Sequence, residues 1–221
     1  MRLAPIGAAA TLAALATATA ATPALAQRAT ARTGATAAAP VPAAPAATAA
    51  AATYQIDVAH SELGFRVRHL LGRVGGTFGK WAGTIVIDSA VPSRSRVDVT
   101  IQTASIDTRN EKRDEHLRAP DFFAADSFPT ITFRSSKVEL RGKALRVTGD
   151  LTMRGRTRPV VLVGEYGGQF KDPWGATRTA FTATTTVDRQ AFGVSWNKAV
   201  ETGAMLGDEV AIEIAVEAVK Q

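Results

Sequence analysis

Glu62-Leu63-Gly64-Phe65-Arg66-Val67-Arg68-His69 alternates strictly. Leu63, Phe65, Val67 and His69 fall on one side; Glu62, Arg66 and Arg68 fall on the other. A period of two with one apolar and one charged face predicts a half-buried β-strand. The same alternation recurs along the chain. Val97, Val99 and Ile101 oppose Arg96, Asp98, Thr100 and Gln102; Ile131 and Phe133 oppose Thr130, Thr132 and Arg134. Leu145, Val147, Leu151 and Met153 oppose Arg146, Thr148, Asp150, Thr152 and Arg154; Val210, Ile212, Ile214 and Val216 oppose Glu209, Glu213 and Glu217. Further strands are expected over 78–88, 137–141, 158–169 and 177–188.

Arg141-Gly142-Lys143 and Arg154-Gly155-Arg156 read as hairpin turns. Eight to ten strands joined mostly by short turns predict an all-β fold, an antiparallel barrel of about eight strands. The charged run 109–126, helix-compatible and stopped at Pro120, predicts a short helix and a loop crossing one end of the barrel. The irregular stretch from Arg189 to Trp196 is a second such crossing. A barrel of eight strands is just wide enough to be filled by its own side chains or to hold one slim ligand. Patterning leaves both readings open.

Outward from this region the composition changes. Residues 28–53 are almost all Ala, Thr and Pro, with nothing large to bury, so 27–53 is expected to be a disordered linker. Before it, Arg2, an apolar Ala/Leu/Thr stretch and Ala24-Leu25-Ala26 have the layout of a signal peptide cleaved after residue 26. The expected location is therefore the periplasm or another exported space. The remainder, 54–221, falls in the usual single-domain range of roughly 100–200 residues.

Composition excludes several classes of function. With no cysteine among 221 residues, thiol catalysis, zinc–thiolate and iron–sulfur sites are ruled out. The net charge of +6 falls to about +3 once Arg2, Arg28 and Arg32 are set aside, too little for a nucleic-acid partner. No stretch after the leader is long and apolar enough for a membrane-spanning helix. No G-x-S-x-G nucleophile motif occurs.

Ordered short motifs add a family resemblance. They begin with Tyr54-Gln55-Ile56-Asp57, His60-Ser61 and Phe65-Arg66-Val67-Arg68-His69, and continue through Ser105-Ile106-Asp107-Thr108, Arg113-Asp114-Glu115-His116-Leu117 and Phe122-Phe123. Phe128-Pro129-Thr130-Ile131-Thr132-Phe133, Gly149-Asp150-Leu151-Thr152-Met153-Arg154-Gly155, Asp188-Arg189-Gln190-Ala191-Phe192-Gly193 and Gly207-Asp208-Glu209-Val210 follow in register. Residues 54–219 resemble the YceI-like family in this way. The resemblance implies a lipocalin-like barrel enclosing a polyisoprenoid or similar long-chain amphiphile, with many members exported. It implies non-enzymatic binding, sequestration or transport of an isoprenoid quinone or polyprenyl phosphate, no required cofactor, and leaves a homodimer open. The alternative is an envelope enzyme, esterase-like, acting on a lipid.

On the carrier reading, Phe65, Val67, Val99, Ile101, Phe133, Leu151, Met153, Phe181 and Ile212 form the lumen wall. Each is also an ordinary barrel-core residue if the lumen is filled. His69, alone and titratable on an apolar strand face, with Arg113 and His116 from the crossing segment, marks the head-group end. The histidines His60, His69 and His116 lack the local spacing of a metal site. Asp57, His60 and Ser61 have the composition of a hydrolytic triad, but three residues this close in sequence read better as a local cap.

Overall fold

The computed structural model describes residues 51–200 and 203–221, leaving aside the side chain of Val200. The expected signal peptide and all but the last residues of the expected linker lie outside them. The strands are β1 (Ala52–Ile56), β2 (Glu62–His69), β3 (Gly72–Phe78), β4 (Trp81–Ile87), β5 (Arg96–Gln102), β6 (Ile106–Asp107) and β7 (Thr130–Arg141). They continue with β8 (Ala144–Met153), β9 (Arg156–Lys171), β10 (Thr177–Asp188), the short pair β11 (Ala199–Val200) and β12 (Gly203–Ala204), and β13 (Leu206–Lys220). One α-helix, α1 (Glu111–Arg118), sits between β6 and β7.

The strand order β1-β4-β5-β7-β8-β9-β10-β13 closes on itself, because Tyr54, Gln55 and Ile56 of β1 pair with Lys220, Val219 and Ala218 of β13. That is a closed antiparallel barrel of eight strands. β2 continues β1 after a 3-10 turn at Val58–His60 and pairs with the other half of β13, from Ala215 to Leu206. β3 and β6 extend this side beyond the barrel rim. His69, Met153, Asp188 and Leu206 therefore mark one end, which also carries α1; Ile87, Arg141, Lys171 and Lys220 mark the other.

Local chemistry explains most boundaries. The β8–β9 turn places Arg154 at φ 49° and Gly155 at φ 69°, the doubly left-handed turn whose twist matches a hairpin. α1 starts at Asn110, whose side chain accepts the Arg113 amide at 3.0 Å, and stops before Pro120. Residues 130–134 and 137–141 form one strand, bent by a bulge between Ser135 and Lys137. β3 has no alternating apolar face because Gly75 and Gly76 interrupt it. A Cβ at Gly76 would stand 2.6 Å from the Phe65 ring, so glycine there lets that ring lie flat across β3.

Some details differ from the sequence reading. β1 begins at Ala52, not 54: Ala52 and Thr53 pair with Ile87 and Val86, since a backbone ladder needs no large side chain. Arg189 is anchored by Asp208, 3.0 Å away, while its neighbour Asp188 caps the Gln190 amide.

Charges lie outside. Arg66–Glu213, Arg134–Asp98 and Lys137–Glu139 pair across or along the outer face at 3.4, 3.6 and 2.8 Å. Such a face suits water rather than hydrocarbon, where a spanning barrel needs an apolar band. Among the described residues no helix is long and apolar enough to cross a membrane.

One outer network is tighter. Arg178 donates to Asp172 and Asp57, each at 2.9 Å, and also to Glu217. The guanidinium, helped by His60, holds the Asp57 carboxyl below its ordinary value of 3.8, and it lowers Asp172 likewise. A depressed folded-state pKa contributes stability above the unfolded value, and that contribution is lost as pH falls through the folded value. Arg178→Leu is therefore expected to lower Tm by several degrees at neutral pH. The gap to wild type should narrow as pH drops below 3.8. Thermal melts across pH check this; a gap that stays constant to low pH contradicts it.

Candidate functional site

The inner face encloses a cavity of about 620 Å³ running from the β4–β5 loop to α1. All nine residues assigned to the lumen wall border it, and so do His69, Arg113 and His116. They are not equivalent. Ile101, Phe133 and Leu151 are buried and belong to a packed core on the β4, β5, β7 and β8 side, with Trp81, Ile85 and Ile131. Phe65, Val67, Val99, Met153, Phe181 and Ile212 are only half-buried although they point inward. Most of them pack against the core or against other rings on one side, and all border the cavity as well. Part of the barrel is thus self-filled and part is open.

The α1 end is covered by aromatic residues. Phe123 meets Phe78 edge-on at 6.1 Å, and Phe122 lies 5.1 Å from Trp196. His116 stands edge-on to both Phe122 and Trp196, at 4.9 and 5.2 Å. Arg154, at the β8–β9 turn, donates to the Phe122 carbonyl. The segment after α1 therefore reaches from β3 to the far side of the rim, as the charged interruption predicted. The stretch from Arg189 to Trp196 meets it there.

Polar groups gather at both ends of the cavity. Arg113 is held by Thr108, with Nε donating to Oγ1 at 2.7 Å and Nη2 to the carbonyl at 2.8 Å. Thr108 in turn donates its amide, at 3.0 Å, and its hydroxyl to buried Asp114. Arg113 itself forms no ion pair among the described residues. His69 has no hydrogen-bond partner for its ring among them, whereas His116 reaches Asp121 at 3.3 Å. At the opposite end Asp88, buried, accepts the Ala90 and Val91 amides at 3.0 and 2.8 Å, beside Ser89 and Ser95.

Sequence reasoning did not assign Asp88 to the site, nor Trp81, Phe78, Phe122, Phe123 and Trp196. The aromatic pair Phe122-Phe123 was visible in the motifs; Asp88 and Trp196 carry no periodic signal.

The trio Asp57, His60 and Ser61 is arranged as the local cap read from the sequence. His60 bonds Asp57 at 2.9 Å, while the Ser61 hydroxyl donates to the Asp57 carbonyl at 2.7 Å rather than to His60. Asp57 also accepts the Ala59 amide at 3.2 Å, which makes the trio a cap on the 3-10 turn. Among the described residues no group of three or more His, Asp or Glu side chains is placed to hold a metal ion.

The YceI-like domain matches residues 54–218. The chain belongs to the YceI-like family. It is 38% identical over 174 residues to Protein YceI of Shigella flexneri, covering 77% of this chain and 88% of the relative. A UPF0312 protein of Photorhabdus laumondii is 42% identical over 137 residues, 61% of this chain and 71% of the relative. Among solved structures, the YCEI protein of Campylobacter jejuni superposes with a TM-score of 0.61 at 32% identity, over 70% of this chain and 90% of that one. BcnA of Burkholderia cenocepacia gives 0.66 at 24% identity, over 73% and 98%, a likeness of fold. A polyisoprenoid binding domain from Saccharophagus degradans shares the fold more distantly, with a TM-score of 0.55 at 12% identity over 76% and 98%.

Proposed function

We propose that this YceI-like chain is a non-enzymatic carrier or sequestering protein for one long-chain amphiphile, most simply a polyisoprenoid, working in an exported compartment. The observation that carries the reading is the cavity of about 620 Å³ bounded almost entirely by apolar side chains, several of them only half-buried. An apolar chain entering such a space gains roughly 0.8 kcal/mol per CH₂ removed from water. The family resemblance supplies the isoprenoid as cargo, and a domain of like fold is described as polyisoprenoid binding. Nothing in the polar groups favours the esterase alternative, since Ser61 has no base aimed at it.

The polar groups at the two ends favour the α1 end for the head group. Among the described residues Arg113 brings a cation without a carboxylate partner, and His69 a ring without a hydrogen bond, to the α1 end; Asp88 brings a carboxylate to the other. A phosphate or a carbonyl-bearing ring is favoured beside Arg113 and disfavoured beside Asp88. A quinone or polyprenyl phosphate would thus sit head to α1, tail toward the β4–β5 loop.

Native mass spectrometry of protein purified from its own host tests the carrier. A co-purifying prenyl chain is expected; an empty lumen together with turnover of an ester probe would overturn the reading. The head-group placement is tested separately. His69→Ala and Arg113→Ala are each expected to weaken a headed lipid by about tenfold, the worth of one charge-assisted bond of roughly 1.5 kcal/mol, and a bare hydrocarbon of equal length hardly at all. Equal losses for both ligands would place the head elsewhere.

A further inference from the structure

The turn between β2 and β3 is made of residues that folding alone does not favour. Leu70 and Leu71 join paired His69 and Gly72, a two-residue hairpin turn that ordinarily takes Gly, Asn or Asp. Leu70 is left-handed, with φ 52°, a region unfavourable for a bulky side chain. Leu71 is 99% exposed. Just behind the tip, Arg68 and Arg73 stand directly opposite each other across the two strands, a repulsive arrangement. Both are exposed, and neither forms an ion pair among the described residues.

The tip is nonetheless held in place. The Leu70 amide donates to the Met205 carbonyl at 2.8 Å, and Arg68 donates to the Leu70 carbonyl at 3.2 Å. His69, Met205 and Leu206, next to it, border the cavity. A bare leucine and two facing arginines are each unfavourable in water, and both are relieved by one kind of surface.

We propose that this hairpin tip docks the barrel on an anionic lipid bilayer, with Leu71 and Leu70 at the acyl boundary and Arg68 and Arg73 against lipid phosphates. Two leucines and two arginines are far too small a patch for a stable protein interface, which takes roughly 800 Å² from each partner. A bilayer needs no matching footprint, and apolar contact combined with basic charge gives weak, reversible attachment. The position beside the cavity is where an insoluble cargo would be exchanged. The proposal deepens the carrier reading by naming the membrane as source or destination, yet its test needs no cargo.

A second exposed apolar turn residue serves as the control. Trp174, 86% exposed, tips the β9–β10 turn at the opposite end, where Asp172 caps the turn in the ordinary way and Trp174 does not border the cavity.

The experiment is flotation of the full protein with vesicles of phosphatidylcholine containing about one-third phosphatidylglycerol, beside pure phosphatidylcholine vesicles. Wild type is expected to float with the anionic vesicles at low salt and to lose them at about 1 M, where screening reaches about 3 Å. Leu71→Ser, and Arg68→Gln with Arg73→Gln, are each expected to reduce the bound fraction about tenfold with an unchanged melting curve. Trp174→Ser should float as wild type does. Failure of wild type to float, or flotation of Leu71→Ser equal to wild type, overturns the proposal. So does a dimer that Leu71→Ser converts to monomer, since the tip would then belong to a second copy. Cargo found in a protein that does not float removes this proposal and leaves the carrier standing; flotation with an empty lumen does the reverse.

Discussion

Arg189→Ala is expected to lower stability by about 3–5 kcal/mol, the usual result of removing one partner from a buried charged network. For a domain of this size that corresponds to a fall in Tm of roughly 10 °C. Arg189 is 5% exposed, and its guanidinium donates to three backbone carbonyls, those of Gly207 at 2.9 Å, Val194 at 2.6 Å and Trp196 at 2.9 Å. It also reaches Asp208 at 3.0 Å. Alanine would leave those carbonyls without their donor, and the cost of an unmade buried hydrogen bond exceeds the gain from making it. Lysine should not rescue, because a single ammonium cannot reproduce a planar fork aimed at separate acceptors. Asp208→Asn should cost no more than about 1 kcal/mol, since that carboxylate is half exposed. The segment held by Arg189 brings Val194 and Trp196 to the cavity, so cargo retention should fall with stability. Thermal melts of the three variants decide it: an Arg189→Ala protein melting within a degree or two of wild type would show that the segment is held by something else.

Much of the barrel was legible because each strand buries one face. A one-residue slip would turn Phe65, Val67 and His69 outward, so the apolar set fixes register as well as strand identity. Pairing bears this out directly: Phe65 stands opposite Ile212, Val67 opposite Val210 and Phe133 opposite Leu151. Where the face is not marked by side chains, the reading fails. β3 is hidden by its glycines, and the first residues of β1 by their likeness to the Ala-rich segment before them. Long-range anchors are equally silent. Arg189 pairs with a residue nineteen positions away, while the sequence offers Asp188 next door. Alternation likewise cannot separate packed core from open lumen, because both want apolar residues on the inner face. The void depends on the summed volumes of side chains from strands far apart in sequence. The nine wall residues all border the cavity, and nothing in the sequence tells that Ile101, Phe133 and Leu151 are fully buried while Phe65, Met153 and Phe181 are only half-buried.

That division decides the most informative block of the lumen, Met153→Trp. From the sequence Met153 and Phe133 are equivalent inward residues of adjacent strands. In the structure the Phe133 ring lies against β8, where a Cβ at Gly149 would come within 2.6 Å of it. Tryptophan at 133 has no room, and overpacking of about 1–3 kcal/mol is expected there before any ligand is considered. Met153 is half-buried, unbranched and borders the cavity, so an indole at that position can turn into the void at little cost to the fold. The space it occupies is taken from the cargo. Expelling one five-carbon prenyl unit forfeits about 4 kcal/mol at roughly 0.8 kcal/mol per carbon, a loss of about a thousandfold in affinity. Met153→Trp is therefore expected to melt close to wild type and to retain no long chain, or one shorter by a unit, as read by native mass spectrometry of both proteins prepared in parallel. Phe133→Trp is expected to lose stability first, with retention falling only in proportion to the folded fraction. A Met153→Trp protein that melts like wild type and carries the same mass in the same yield would place the chain outside this cavity.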